Sequence, residues 1–306
     1  MRIRHLFTSL FALALMPAGV LAGAATSHAA GGADPTPPTQ PTLVDVRVSH
    51  HTTDSSVFDR IVFEYDGGLP SDVGAKYVDQ LVADGSGRHM RIAGRAILRV
   101  RMSPALAHTD AGVATVPVRT AYLTPNVLTT VRSGDFEGVV TYGIGLAKHT
   151  RVHVFTASDP DRVVVDVRAG FTTVPRQVWF FDQKRFADNT PPFFVPVMRP
   201  VIPTIPATAL MDRVFAGPTP DEIAANLLLV RSRATGFTMM SISHHIARVQ
   251  LKGDCSSGGS TVTIAGEIMP TLRQLARVDW VKIYDAQGLT ETPDGPSDSI
   301  PVCLEP

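Results

Sequence analysis

Asp135, Phe136 and Glu137, with Tyr142 and Arg151 shortly after them, are the residues in this chain best suited to recognising a ligand. An aromatic ring offers an apolar face to a sugar or peptide, and nearby carboxylate and guanidinium groups can hydrogen-bond its polar edge. Asp135, Phe136, Tyr142 and Arg151 are therefore the candidate binding residues. A turn aspartate beside a core phenylalanine would give the same pattern, so placement has to decide. Other polar clusters are weaker. His50-His51 and His244-His245 are adjacent pairs, and neighbours on a strand point to opposite faces, so neither pair chelates a metal easily. His149 and His153 would share a helical face, yet they lie in a turn and a strand-like run. Asp159, Asp161 and Asp166 flank a turn and fit solvated carboxylates better than a calcium or catalytic cluster. No metal site and no cofactor are expected.

The sequence lacks a G-x-S-x-G elbow, an H-E-x-x-H pair and a P-loop. Gly143 and Gly145 form a short glycine pair inside a strand, which suits a bulge or close packing better than a nucleotide cradle. An amidase would need a metal constellation of His and Glu that the chain does not spell out. No enzymatic activity is expected, and a cell-wall hydrolase is the remote alternative.

The charge balance narrows the partners. Lys and Arg number 28 against 28 Asp and Glu, and aromatics make up 7%, so neither a polyanion-binding surface nor a base-stacking platform is expected. Residues 1–29 read as a signal peptide: Arg2, Arg4 and His5 precede an apolar run from Leu6 to Leu21, and Ser27-His28-Ala29 closes with small residues. Pro17 and Gly19 interrupt that run, which is short for a span needing about 20 residues, so no stable membrane insertion is expected after cleavage. Residues 30–42 are a Pro/Gly-rich linker. The chain has two cysteines, Cys255 and Cys303, and in an exported protein their simplest fate is a disulfide. A metal pair or redox couple is the alternative, without CxxC spacing to favour it.

Strands dominate up to residue 169. Leu43–Val48 and Phe58–Tyr65 alternate apolar and polar residues, with Ile61, Phe63 and Tyr65 on one face. Further runs at 75–82, 97–102, 114–119, 127–132, 138–144, 152–156 and 162–167 bring the number to about nine, separated by turn residues, which predicts an antiparallel β-sandwich. The stretches FDRIVFEYDG, GDFEGVVTYGIGL and FTASDPDRVVVDVR together resemble the AMIN-like domain over residues 43–169. That resemblance implies a β-sandwich of exported bacterial envelope proteins, of actinobacterial type here, with glycan or peptidoglycan binding and no catalysis.

The period then changes. Gln177–Phe181 reads as a strand and Phe193–Ile202, with Pro196 and Pro200 inside it and Pro203 just after, as an extended edge. Ala207, Leu210, Met211, Val214 and Phe215 mark one face of a helix that Gly217-Pro218 stops, and Thr219-Pro-Asp-Glu222 is a capping-box pattern. A hairpin is expected around His244-His245, a second helix over 263–276 kinked at Pro270, and a last strand over 279–284. The order β-α-β-β-α-β predicts a smaller α+β domain over 177–306, with two helices on one face of a single sheet. FVPVMRPV, AGPTPDE and VDWVKIYDAQG resemble the GerMN (spore-germination-type) domain, and the tail with Cys303 resembles forms stapled at the C-terminus. Together these readings describe a secreted, extracytoplasmic protein that binds cell-wall glycan or peptidoglycan, or acts as a structural component of an envelope protein complex. Nucleic acid is not an expected partner.

Overall fold

Ile61, Phe63 and Tyr65 alternate with polar residues and are all buried, so the pleat alone sets which face of their strand turns inward. A computed structural model describes residues 40–306; the predicted signal peptide and nearly all of the predicted linker lie outside the described residues. The first half contains β1 (Thr42–Thr52), β2 (Val57–Asp66), β3 (Asp72–Val78), β4 (Ala96–Ser103), β5 (Arg119–Ala121), β6 (Val127–Phe136), β7 (Val139–Leu146), β8 (Val152–Ala157) and β9 (Arg162–Arg168). They form two sheets, β1-β2-β9-β8 and β3-β4-β7-β6-β5, antiparallel throughout. One apolar core joins them: Ile61, Phe63 and Val165 from the first sheet meet Leu98, Val100, Tyr142 and Ile144 from the second. This is the expected sandwich.

Two predicted strands move. The run at 75–82 leaves the sheet after Val78, because Leu81 folds back over β7. The run at 114–119 is loop, with only the short β5 beginning at its end, and Pro117 within it has no N–H to give to a ladder. Gly143 and Gly145 explain how residues 79–95 can lie flat on the outer face of β7. A Cβ on Gly143 would run into Leu81, and one on Gly145 would overlap the carbonyl oxygen of Ala93. The glycine pair is a close-packing site.

The second half runs β10 (Val174–Asp182), α1 (Gln183–Ala187), β11 (Phe194–Val201), α2 (Pro206–Ala216), α3 (Pro220–Ala224), β12 (Leu227–Leu228), β13 (Ala234–Ser243), β14 (Ile246–Gly253), α4 (Ala265–Arg273) and β15 (Trp280–Tyr284). The predicted face of α2 is buried, Gly217 ends that helix at φ 89°, and the capping box from Thr219 to Glu222 is formed. His244 and His245, at φ 51° and 62°, are the two residues of a tight hairpin turn. The single sheet expected here is instead two three-stranded sheets, β11-β10-β12 and β13-β14-β15. The reason lies on the free edge of β10. Its Gln177 N–H donates to the side chain of Gln274 at 3.0 Å and its Trp179 N–H to Thr271 Oγ1 at 3.1 Å, so α4 and its cap take the place of a neighbouring strand. Cys255 and Cys303 are joined, with Cα atoms 5.6 Å apart, and tie the C-terminal tail to the loop after β14.

The halves pack against each other. Ala93, Leu128 and Ala147 of the sandwich belong to the same apolar cluster as Leu210, Val214 and Phe180. Arg213, on α2, is sealed in this interface. Its Nη1 donates to Tyr122 O at 3.1 Å and its Nη2 to Thr124 O at 2.7 Å and Pro125 O at 3.2 Å, while Nε reaches Pro200 O at 3.0 Å. Beside it, Arg199 grips Glu222 through both nitrogens and lies 5.4 Å from the Phe180 ring. Residues Thr39–Pro306 thus form one compact unit. Replacing Arg213 by Met would leave four buried carbonyls without their donor, and a loss of about 3 kcal/mol or more is expected. A urea midpoint indistinguishable from that of the parent would show that the guanidinium contributes nothing to this interface.

Candidate functional site

The structure distributes the sequence-predicted binding residues instead of gathering them. Glu137 and Gly138 make the two-residue turn between β6 and β7, both at positive φ, and Phe136 stands at its rim, 68% exposed. Asp135, one residue earlier, is occupied. Its carboxylate accepts the Ala107 N–H at 3.1 Å and pairs with His108 Nδ1 at 2.9 Å and Arg132 Nη1 at 3.3 Å, holding the loop after β4 to the sheet. Tyr142 is a core residue: its ring lies 5.1 Å from that of Phe63, and burial raises its hydroxyl pKa. An expected ligand contact at Tyr142 is therefore corrected, because its place on β7 puts it on the face between the sheets. From the turn, β7 carries the chain away for eight residues, about 25 Å, before exposed Arg151 is reached at the start of β8. Of the four, only Phe136 is an exposed aromatic surface.

The histidines behave as turn or surface groups. His50 pairs with the fully buried Asp59 at 2.7 Å, and Asp59 also accepts the N–H groups of Asn126 and Val127. Among the described residues no group of three or more His, Cys, Asp or Glu is arranged to hold a metal ion.

A different site is present, and its residues are spread over more than 160 positions of the chain. A cleft of about 700 Å³ opens between the 79–95 segment of the first half and the α2 and β13 faces of the second. Five cations reach it: Arg91, Arg95, Arg119, Arg231 and Lys252. None of them forms an ion pair among the described residues. Arg119 donates to the carbonyl oxygen of Arg91. Asp79 and Asp212 are the two carboxylates of the lining. Phe215 and Phe237, with rings 5.9 Å apart and nearly parallel, give one wall an apolar surface.

The electrostatics of the cleft are those of unsatisfied positive charge. Burial lowers Arg119 to about 10, and Arg231 and Arg91 push it the same way. Arg231 is lowered too, first by burial and then by Arg91, against a weaker pull from Glu267. Like charges held together and partly withdrawn from water, as Arg119 and Arg231 are beside the exposed Arg91, disfavour one another, so an anion arriving there relieves them. Asp212 lines the cleft and is 5% exposed, with no hydrogen-bond or ion-pair partner among the described residues. Burial pushes its carboxyl up to about 7, with Arg95 and Arg213 opposing. No local motif announces these residues. Arg91, Arg119, Asp212 and Arg231 become neighbours only when the two halves pack.

Comparison with known families places one part of the chain. Residues 41–169, the sandwich, match the AMIN-like domain. No curated protein and no solved structure matches the chain.

Asp212 sets an expected pH dependence. Its folded-state pKa is raised, so the folded protein holds the proton more tightly than the unfolded chain, and the stability this gives is lost as pH rises from about 4 through about 7. Glu267, buried and raised in the same direction, adds to the trend. The urea midpoint should fall between about pH 5 and about pH 8, and Asp212→Asn should shrink that fall. An unchanged fall in the variant would remove Asp212 as its source.

Proposed function

We propose that the protein is a non-catalytic, extracytoplasmic component of the cell envelope that binds cell-wall glycan or peptidoglycan through its AMIN-like sandwich. The observation that carries this reading is the match of residues 41–169 to that domain. The Cys255–Cys303 bridge supports an exported location, because disulfides persist in oxidising compartments. No helix among the described residues is long and apolar enough to cross a membrane. Phe136 is the member of the predicted binding set placed to meet a sugar face, at the rim of the β6–β7 turn.

A second reading, a structural component of an envelope protein complex acting through the C-terminal half, is favoured by one feature. Strand β13 is a free edge of its sheet and exposes Met239 and Ile242, which is the arrangement a partner strand can extend.

Purified sacculi separate the two. Under the wall-binding reading, the protein sediments with sacculi above an unrelated control, and Phe136→Ala weakens retention about 10-fold, the effect of losing one aromatic contact. Retention equal to the control would rule that reading out. Discrete hetero-oligomers on cross-linking in cells would then favour the second.

A further inference from the structure

The cleft between the two halves has a composition that surface chance does not explain. Arginines rarely stay buried without a carboxylate, because the transfer from water must be offset by a counter-charge or hydrogen bonds. Here Arg119 and Arg231 are partly buried, the exposed Arg91 bears on both, and none of the three has an ion-pair partner among the described residues. The chain carries no net charge, so this concentration is local. A single carboxylate would satisfy one guanidinium fork. A phosphoryl group presents up to two charges and three terminal oxygens, matching several forks at once. Beside the cations, Phe215 and Phe237 form an apolar wall that an inorganic ion would leave uncovered. Asp212, nine-tenths buried and turned toward the cavity without a partner, can donate a hydrogen bond to a phosphoryl oxygen when protonated.

We propose that this cleft binds an organic phosphate, with the phosphoryl group held by Arg91, Arg119 and Arg231 and the organic body lying against Phe215 and Phe237. The site is independent of the wall-binding reading. It belongs to neither half alone, since Arg91 and Arg119 come from the sandwich and Arg231, Phe215 and Phe237 from the second half. The source of the phosphate is either a small sugar phosphate, with up to two charges and three terminal oxygens, or a phosphodiester within a wall polymer, with one charge and two terminal oxygens; either can meet more than one guanidinium fork.

The proposal has a proton linkage. A phosphate anion beside Asp212 favours its neutral form, so binding should tighten as pH falls from about 8 to about 7, above the range in which a phosphomonoester itself takes up a proton. The other groups facing this carboxyl are Arg95 and Arg213, and Asp79, His89, Arg91, Arg119, Arg231 and Lys252 complete the titratable or charged lining. Asp212→Asn separates the contribution of this carboxyl from that of the rest of the lining.

The test is calorimetric titration of the full chain with glucose 1-phosphate, with inorganic pyrophosphate, with glucose, and with a soluble glycerol-phosphate polymer. Binding of glucose 1-phosphate or of the polymer, but not of glucose, is expected, and the arm that binds more tightly identifies the source. The double variant Arg119→Gln/Arg231→Gln should lose at least about 10-fold in affinity, as the loss of two charge-assisted contacts implies. Arg233→Gln, whose parent residue lies in an exposed surface pair with Asp254, should bind like the parent. If the double variant folds poorly, Phe237→Ala gives a second arm, with an expected preference for pyrophosphate over the sugar phosphate. Pyrophosphate binding alone in the parent would reduce the site to a nonspecific anion trap and overturn the organic-ligand proposal. No heat from any phosphate up to about 10 mM, beyond the range of specific recognition, would overturn the site. Undiminished binding in the folded double variant would do the same. Because no arm uses sacculi, failure here leaves the wall-binding reading to its own test.

Discussion

A guanidinium shut away from water must find acceptors, and Arg213 finds them on both halves of the molecule. Three carbonyls of the β5–β6 connection and one from Pro200 surround it, so the sandwich and the C-terminal half are joined by polar contacts at the centre of an apolar seam. Burial lowers its pKa to about 9, the mark of a charge held where water does not reach. The carbonyls it satisfies would otherwise be buried without donors. A hydrophobic seam alone would let the halves slide; directional bonds fix their register. Arg199 and Glu222 repeat the device nearby and also close the cap of α3, so the positions of α2 and α3 are set together.

That fixed register is what creates the cleft. The wall on the sandwich side is the 79–95 segment, which can approach β7 only because Gly143 and Gly145 leave room for Leu81 and Ala93. Opposite it, α2 and β13 supply Asp212, Phe215 and Phe237. A glycine pair on one strand and one buried arginine on a helix thus determine a cavity in which neither takes part chemically.

Much of the fold was legible in the sequence, and the reasons are local. Period-two alternation in β2 and the turn residues between strands gave the sandwich. The apolar spacing of α2, its glycine stop and the Thr219–Glu222 box gave α2 and the start of α3. The two cysteines gave the disulfide. The failures are non-local. Nothing in Thr271 or Gln274 announces that their side chains will take the edge of β10 and divide one expected sheet into two. Tyr142 alternates correctly for either face, and only the packing of residues 79–95 on the outer side of β7 shows that its ring points inward. The cleft was invisible for the same reason: its arginines lie far apart in sequence, and a balanced total charge conceals a local excess.

The claim on which the rest stands is that the halves form one cooperative structure. Trp179 and Trp280, the only tryptophans, both lie in the C-terminal half, so their fluorescence reports that half alone, while far-ultraviolet circular dichroism reports both. Urea unfolding followed by the two signals on one sample tests the claim directly. Coincident transitions with a single midpoint are the result expected of halves locked through Arg213. A circular-dichroism transition separated from the tryptophan transition would mean that the sandwich unfolds on its own, and would contradict it.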